Sequence, residues 1–325
     1  LVVSPSMVAL SFQNVMAAEP SACHPRIRLM ARLGSWIEPY PEGIYIRPAD
    51  AWVDPSQPKE RALVTHGHAD HARGGHGTVW ATPETLAIMG VRYGNGERVV
   101  VSGDYKRRAD PTCEPFLPVP CDIFITEATF GLPVFHHPEA GGEIDRLLAR
   151  LADNPDRCVL VGAYALGKAQ RVIAEVRRRG HHAPIYYHGA LERLCNLYVE
   201  HGIELGELRP ATGATKKEMA GHLVLCPPGA LNDRWSRRLP DPITAAASGW
   251  MRIRQRARQK NVELPLIISD HADWDELIDT IREVRPKEVW ITHGREDALM
   301  HWCMLHQIKA RELNLVGYED DEDDG

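Results

Sequence analysis

From about residue 43 the chain repeats one pattern: a short run rich in Val, Ile and Leu, a polar turn, and in places a stretch with helical period. The runs predicted as strands are 61–65, 98–102, 122–126, 157–161, 184–187, 222–226, 243–247, 265–269 and 288–292. Helices are predicted over 168–179, over 273–285 with Trp274, Leu277, Ile278 and Ile281 on one face, and over 297–306. No repeat of fixed period is visible, and the alternation of the two patterns is that of an α/β chain. The ends of the runs carry the chemistry. His66, Asp104, Glu127, His271 and His293 each lie within two residues of a predicted strand end, where α/β sheets gather reactive groups along one rim. Any one of them alone reads as a turn or cap residue; five together suggest a single site.

The densest signal is Thr65-His66-Gly67-His68-Ala69-Asp70-His71. Three imidazoles and a carboxylate directly after a buried strand suit zinc and, less tightly, manganese or iron. His66 and His68, at alternating positions, can face one ion, while Asp70 and His71, reached after a turn, can serve a second. That is the layout of a binuclear centre with ions about 3.5 to 4 Å apart sharing a hydroxide.

Composition narrows the class. At 325 residues, with 44% hydrophobic and 25% charged residues, the chain is long enough for one large domain or two smaller ones. No uncharged apolar run reaches the roughly 18 residues of a membrane span, so no membrane partner is expected. The seven cysteines (23, 113, 121, 158, 195, 226 and 303) form no CxxC pair, which argues against a disulfide framework or cysteine zinc cage and for a reducing, cytoplasmic setting. Residues 1–22 lack a basic start, so residues 1–24 are expected to be a disordered extension and not a signal peptide.

The net charge of −6 conceals an asymmetry. Six acidic residues sit in the tail Glu319-Asp320-Asp321-Glu322-Asp323-Asp324, while residues 156–260 hold 18 Lys plus Arg against 9 Asp plus Glu. A basic segment within an acidic chain is what a polyanion-binding face produces. In it, Gly162 to Lys168 (GAYALGK) leads from a strand into a helix, so free amides and Lys168 can hold a phosphate, or the segment is a plain glycine turn. Arg252, Arg254, Arg256, Arg258 and Lys260 alternate after Trp250, reading either as a basic stripe with an aromatic for stacking or as a solvated charged face. Arg177-Arg178-Arg179 is expected to complement a helix dipole.

The His-x-His-x-Asp-His motif resembles the second signature of the metallo-β-lactamase superfamily. The insertion of more than 100 residues between Glu127 and His271 narrows the resemblance to the β-CASP nucleases. The stretches SGDYKRRADPTC (102–113), GAYALGKAQR (162–171) and SGWMRIRQRAR (248–258) are similar to the bacterial DNA exonucleases associated with ATP-dependent DNA ligases. The resemblance implies a metallo-β-lactamase αβ/βα sandwich with an inserted β-CASP α/β domain. The expected bounds are 25–155 for the first part of the sandwich, 156–260 for the insertion, 261–318 for the last part and 319–325 for the acidic tail. It implies zinc, with manganese as an alternative, held by His66, His68, Asp70, His71, Asp104 (the bridging aspartate) and His293 (motif C). It further implies that Asp70, Glu127 (motif A) and His271 (motif B) are catalytic, with His271 a general acid oriented by Glu127. Lys168, Trp250, Arg252, Arg254, Arg256 and Arg258 are the nucleic-acid contacts expected from the basic segment. DNA is the expected substrate, with repair beside an ATP-dependent ligase as its setting; RNA is the alternative, since a histidine at motif C is more usual among RNA-directed members.

One departure stands out. The family's motif 3 histidine lies between the His-x-His-x-Asp-His signature and the bridging aspartate, and here only residues 72–103 separate His71 from Asp104, with His76 their sole histidine. The join falls near Tyr93-Gly94-Asn95-Gly96-Glu97, where either a hairpin has been lost or residues are absent from the sequence. The loss is expected to weaken the ion held by His66 and His68, leaving one zinc firmly bound and catalysis impaired.

Overall fold

The structure is a computed structural model that describes residues 36–94 and 98–313. The expected extension at 1–24, the acidic tail and residues 95–97 of the join lie outside the described residues. The chain divides into two compact units, with the boundary between residues 98 and 99.

The first unit is a five-stranded sheet followed by a helix. Its strands, β1 (Ile37–Tyr40), β2 (Gly43–Ile46), β3 (Ala51–Val53), β4 (Arg61–Leu63) and β5 (Thr78–Trp80), lie in sequence order. The pairings of β1 with β2 and β2 with β3 are antiparallel, and those of β3 with β4 and β4 with β5 are parallel. Helix α1 (Pro83–Tyr93) starts where its sequence says: Thr82 accepts the Thr85 amide and Pro83 fills the first turn. The core is small, with Ala62, Val64, Ala72 and Met89 buried against Val79 and Ala81.

The second unit holds two parallel sheets. Its elements are β6 (Val99–Val101), β7 (Ile123–Ala128), α2 (Ala140–Ala152), β8 (Val159–Gly162), α3 (Lys168–Arg178), β9 (Ile185–Tyr187), α4 (Glu192–Glu200), β10 (Leu208–Pro210), α5 (Lys216–Met219), β11 (Leu223–Cys226), β12 (Ile243–Ala247), α6 (Arg254–Gln259), β13 (Leu264–Leu266), α7 (Trp274–Val284), β14 (Glu288–Gly294), α8 (Glu296–Leu305) and β15 (Lys309–Glu312). One sheet has the order β15-β14-β7-β6 and the other β10-β9-β11-β8-β12-β13. Strands β8 and β11 are buried at every residue, as parallel strands covered on both faces must be. Alternate residues sort onto the two faces. Val159, Val161, Leu223 and Leu225 join Ile144 and Leu147 of α2 and Val172, Ile173 and Val176 of α3 in one core, while Leu160 and Val224 join Met219, Leu231 and Met251 in another.

Every predicted strand run contains a strand, and the three predicted helices form as 168–178, 274–284 and 296–305. The strands β1, β2, β3, β5, β10 and β15 are not predicted because each is short, and polar, aromatic, Gly or Pro residues interrupt any run of Val, Ile and Leu in it. One boundary matters for function. The run 265–269 is a strand only to Leu266, so His271 stands in an irregular segment and not at a strand end.

Candidate functional site

In the first unit the histidine motif occupies the turn after β4. The His68 carbonyl accepts the amides of His71 (3.1 Å) and Ala72 (2.7 Å), which winds the segment tightly enough to bring the imidazoles together. Ring centroids of His66 lie 4.7 Å from His68 and 4.1 Å from His71. Helix α1 pins the turn: Arg92 donates to the Gly67 carbonyl (2.7 Å) and Tyr93 to that of Ala72 (3.0 Å). A side chain at Gly67 would meet the tip of Ile88 on the same helix, which would have to shift to make room.

Asp54, which the sequence did not single out, organises the motif. Sitting after β3 with φ of 45°, it accepts from the Thr65 amide (2.8 Å) and hydroxyl (2.6 Å) and lies 3.0 Å from His71 Nδ1. The only signal for it was an acid after the three-residue run 51–53, shorter than any period can reveal. The donor set fits zinc. Metal-binding histidines typically give their second nitrogen to a carboxylate, and here Asp54 occupies His71 Nδ1 and leaves Nε2 free to ligate. His66 Nε2 and His68 Nδ1 lie 3.2 Å apart, close to the roughly 3.3 Å spanned by two ligands bound tetrahedrally at about 2.05 Å. Asp70 Oδ2 lies 3.5 Å from His71 Nε2. His76 instead accepts the Lys59 amide through Nδ1.

In the second unit the parallel register does the assembling. β7 pairs in parallel with both β6 and β14, so the three strands end at one rim and deliver Asp104, Glu127 and His293 to it. The register between β7 and β14 slips between Thr292 and Gly294. His293 and Gly294 take positive φ there (57° and 103°), and a side chain at Gly294 would strike the Ala128 carbonyl, so only glycine fits. His271 arrives from the segment after β13, and its Nδ1 lies 2.8 Å from Glu127 Oε2. Donor atoms of Asp104, Glu127 and His271 all fall within 4.8 Å of one another.

Glu127 is buried and its oxygens are spoken for. Oε1 accepts the Tyr105 amide (2.9 Å), and Oε2 accepts the Thr129 hydroxyl (2.6 Å) beside His271. A carboxylate so engaged is placed to orient the neighbouring imidazole. Burial works against charge on His271, yet Glu127, by charge and hydrogen bond, with Asp104 assisting, raises the imidazole above its ordinary pKa. Desolvation raises the Asp104 carboxyl; His271 and His293 oppose that shift and Glu127 adds to it. Behind the site, Asp273 caps α7 in a capping box with Glu276 and accepts from Arg108 and the His137 amide, both at 2.7 Å.

The expected nucleic-acid contacts are revised. Lys168 is 3% exposed and its ammonium lies 3.4 Å from Asp270, so here it is an internal ion-pair partner. The alternating arginines form no stripe. Residues 254–259 are the helix α6, in which positions two apart face away from each other; Arg254 and Arg258 share a face, while Arg256 lies over the Trp250 ring at 4.0 Å. Trp250, half-buried, lies under Arg256 and packs on Phe130 and Phe135. Arg252 precedes α6 and is exposed. Arg177 caps four carbonyls, those of His181, Ala183, Leu205 and Glu207.

Comparison with known proteins agrees with this chemistry. Residues 261–309, which carry His271 and His293, match the family described as the Zn-dependent metallo-hydrolase RNA specificity domain (RMMBL). The matched domain is one of the metallo-β-lactamase superfamily in its β-CASP branch, to which the chain is thus similar, and the parallel sheets of the mixed α/β structure are in keeping with that fold. The chain is 24% identical over 323 residues to a protein of Opitutus terrae named probable DNA ligase, matching 83% of this chain and 31% of that one. Over 273 residues it is 24% identical to cleavage and polyadenylation specificity factor subunit 3 of Dictyostelium discoideum, matching 68% and 35%. The chain thus spans about a third of the length of these curated relatives. A protein of unknown function from Enterococcus faecalis V583 superposes with a TM-score of 0.43 at 11% identity, over 68% of this chain and 57% of that one, a likeness too loose to carry an argument. No helix among the described residues is long and apolar enough to cross a membrane.

Proposed function

We propose that this chain is a metal-dependent phosphodiester hydrolase, a DNA exonuclease acting in repair beside an ATP-dependent ligase. The carrying observation is the His271–Glu127 pair beside Asp104. His271 Nδ1 is engaged by Glu127, so Nε2 is left to donate a proton to a departing oxygen, and Glu127 favours the protonated imidazole against the opposing effect of burial. Thr129 and the Tyr105 amide hold Glu127 still, so the imidazole keeps one tautomer and one direction. The residues proposed to hold zinc are His66, His68, Asp70 and His71 of the first unit and Asp104 and His293 of the second, with one ion held more firmly than another. Zinc, or manganese in its place, supplies a hydroxide nucleophile and a Lewis acid when bound. Free thiols throughout the described residues suit a cytoplasmic setting.

The name of the Opitutus relative favours the DNA and ligase reading. A second reading, an RNA-processing nuclease, draws on the RNA specificity family and on the polyadenylation factor; a third, a catalytically impaired binding protein, draws on the missing motif 3 histidine. Cleavage of matched single-stranded DNA and RNA with Zn²⁺ or Mn²⁺, with His271→Ala as control, separates the three. Faster cleavage of DNA supports the first reading, faster cleavage of RNA the second, and no cleavage above the control the third. Metal analysis finding two tightly held ions per chain would overturn the expectation of one.

A further inference from the structure

Lys168 and Arg171 stand one turn apart on one face of α3, each about 3% exposed or less. Both point at the two residues that precede His271. Arg171 donates from Nη1 to the Ser269 carbonyl (2.5 Å) and to Asp270 Oδ1 (3.2 Å), and Lys168 Nζ lies 3.4 Å from Asp270 Oδ2. The other edge of Arg171 reaches the loop that follows Asp104: its Nε is 3.4 Å from Asp110 Oδ2, and Asp110 also pairs with Lys106 at 2.9 Å. Ser269 passes the restraint on, accepting the His271 amide (3.0 Å) and donating to the His271 carbonyl (2.9 Å).

We propose that Lys168 and Arg171 are positioning residues for the His271–Glu127 pair, clamping Asp270 and the Ser269 carbonyl from a helix embedded in the core. The inference rests on the reading of His271 as the proton donor. The segment after β13 has no strand ladder to hold it, so its direction depends on side chains that reach in: Glu143 of α2 takes the Ile267 amide (2.8 Å), and α3 takes the next two residues that need fixing. A buried ionic cluster adds little net stability, because desolvation offsets attraction, but its geometry is specific and costly to break. Here that specificity falls on the loops of Asp104 and His271 at once. Burial notwithstanding, Lys168, Arg171 and Lys106 hold Asp270 below the ordinary carboxylate range, so it remains an anion for both cations.

The test uses the full chain. Arg171→Met is expected to lower kcat for nucleic-acid cleavage ~10- to 100-fold, the usual cost of losing a partner one shell behind a reactive group, with KM changed less than about two-fold. Arg171→Lys should recover much of the loss. A second readout is independent of cleavage. In protein labelled with ¹⁵N at histidine, the His271 ring signal, assigned by its loss in His271→Gln, should shift or broaden in Arg171→Met and stay near its place in Arg171→Lys. An unmoved ring signal in Arg171→Met, or unchanged kcat, overturns the clamp. Should the wild type cleave no nucleic acid, the nuclease reading fails alone and the ring signal still judges the clamp. If Arg171→Met does not fold, Lys168→Met and Asp270→Asn are judged by the same two readouts.

Discussion

The two donor clusters, one in each unit, are built by opposite means. The histidine turn of the first unit is local: His66, His68 and His71 span six residues, its scaffold is a core of a few small side chains, and it stays partly open to solvent. The pair in the second unit is long-range: Glu127 and His271 are separated by 144 positions and meet on a buried parallel sheet, with Glu127 2% exposed. A local cluster on a small core is fitted to offer lone pairs to an ion, which then supplies the rigidity. The Glu127–His271 pair is held instead by hydrogen bonds inside the protein, and the Glu127 charge raises the imidazole pKa against the opposing effect of burial. The cation binding and the proton transfer proposed for these clusters would therefore fall to differently constructed regions.

The largest effect expected is at the buried pair. His271→Ala should lower cleavage ~100- to 10,000-fold, the range of general acid–base catalysis, while bound zinc per chain stays constant; a parallel loss of metal would erase the distinction between the regions. Glu127→Gln should act next most strongly, and with a diagnostic pH dependence. In the proposed role His271 works protonated, and its pKa is raised in the fold, so activity should fall as pH rises through that pKa. Removing the carboxylate charge lowers the pKa, and the alkaline limb of the pH–rate profile should move to lower pH. A profile that merely drops without moving would mean Glu127 is not what holds the proton.

In the histidine turn, Asp54→Asn should weaken zinc binding ~10- to 100-fold, read by competition with a chelating dye, because His71 loses the carboxylate that fixes its tautomer. Unchanged affinity would show that the turn needs no partner beyond its own residues. The smallest effect is expected on α6. Arg254→Ala with Arg258→Ala should reduce the salt slope of nucleic-acid binding by about one for each phosphate that is no longer neutralised, whereas Arg256→Ala, which uncovers Trp250, should leave the slope alone.

Much of this was legible in the sequence where residues depend on near neighbours. The nine apolar runs all overlap strands, of which β8 and β11 are buried at every residue while β4 and β6 keep exposed positions, and the histidine motif stood out through its density as the proposed cation site. Legibility failed where spacing had to be read without knowing the element. Arg252 to Arg258 alternate as a strand would, but the segment is helical and turns Arg256 away from Arg254 and Arg258. Lys168 opens a helix after a glycine turn, as a phosphate lysine does, yet its partner is Asp270, a carboxylate 102 positions on.

By itself, then, the sequence determined the α/β class, most of the strand ends near which candidate reactive groups lie and the residue types on which the proposed zinc chemistry rests, because each is encoded in short-range periodicity and in residue type. Tertiary structure alone decided which charges are available and which are spent. Whether a lysine meets solvent or an aspartate, and whether a carboxylate such as Asp54 stands behind a histidine, depends on through-space distances between segments far apart in the chain. Burial makes those encounters decisive, since a buried charge must find its partner inside the protein.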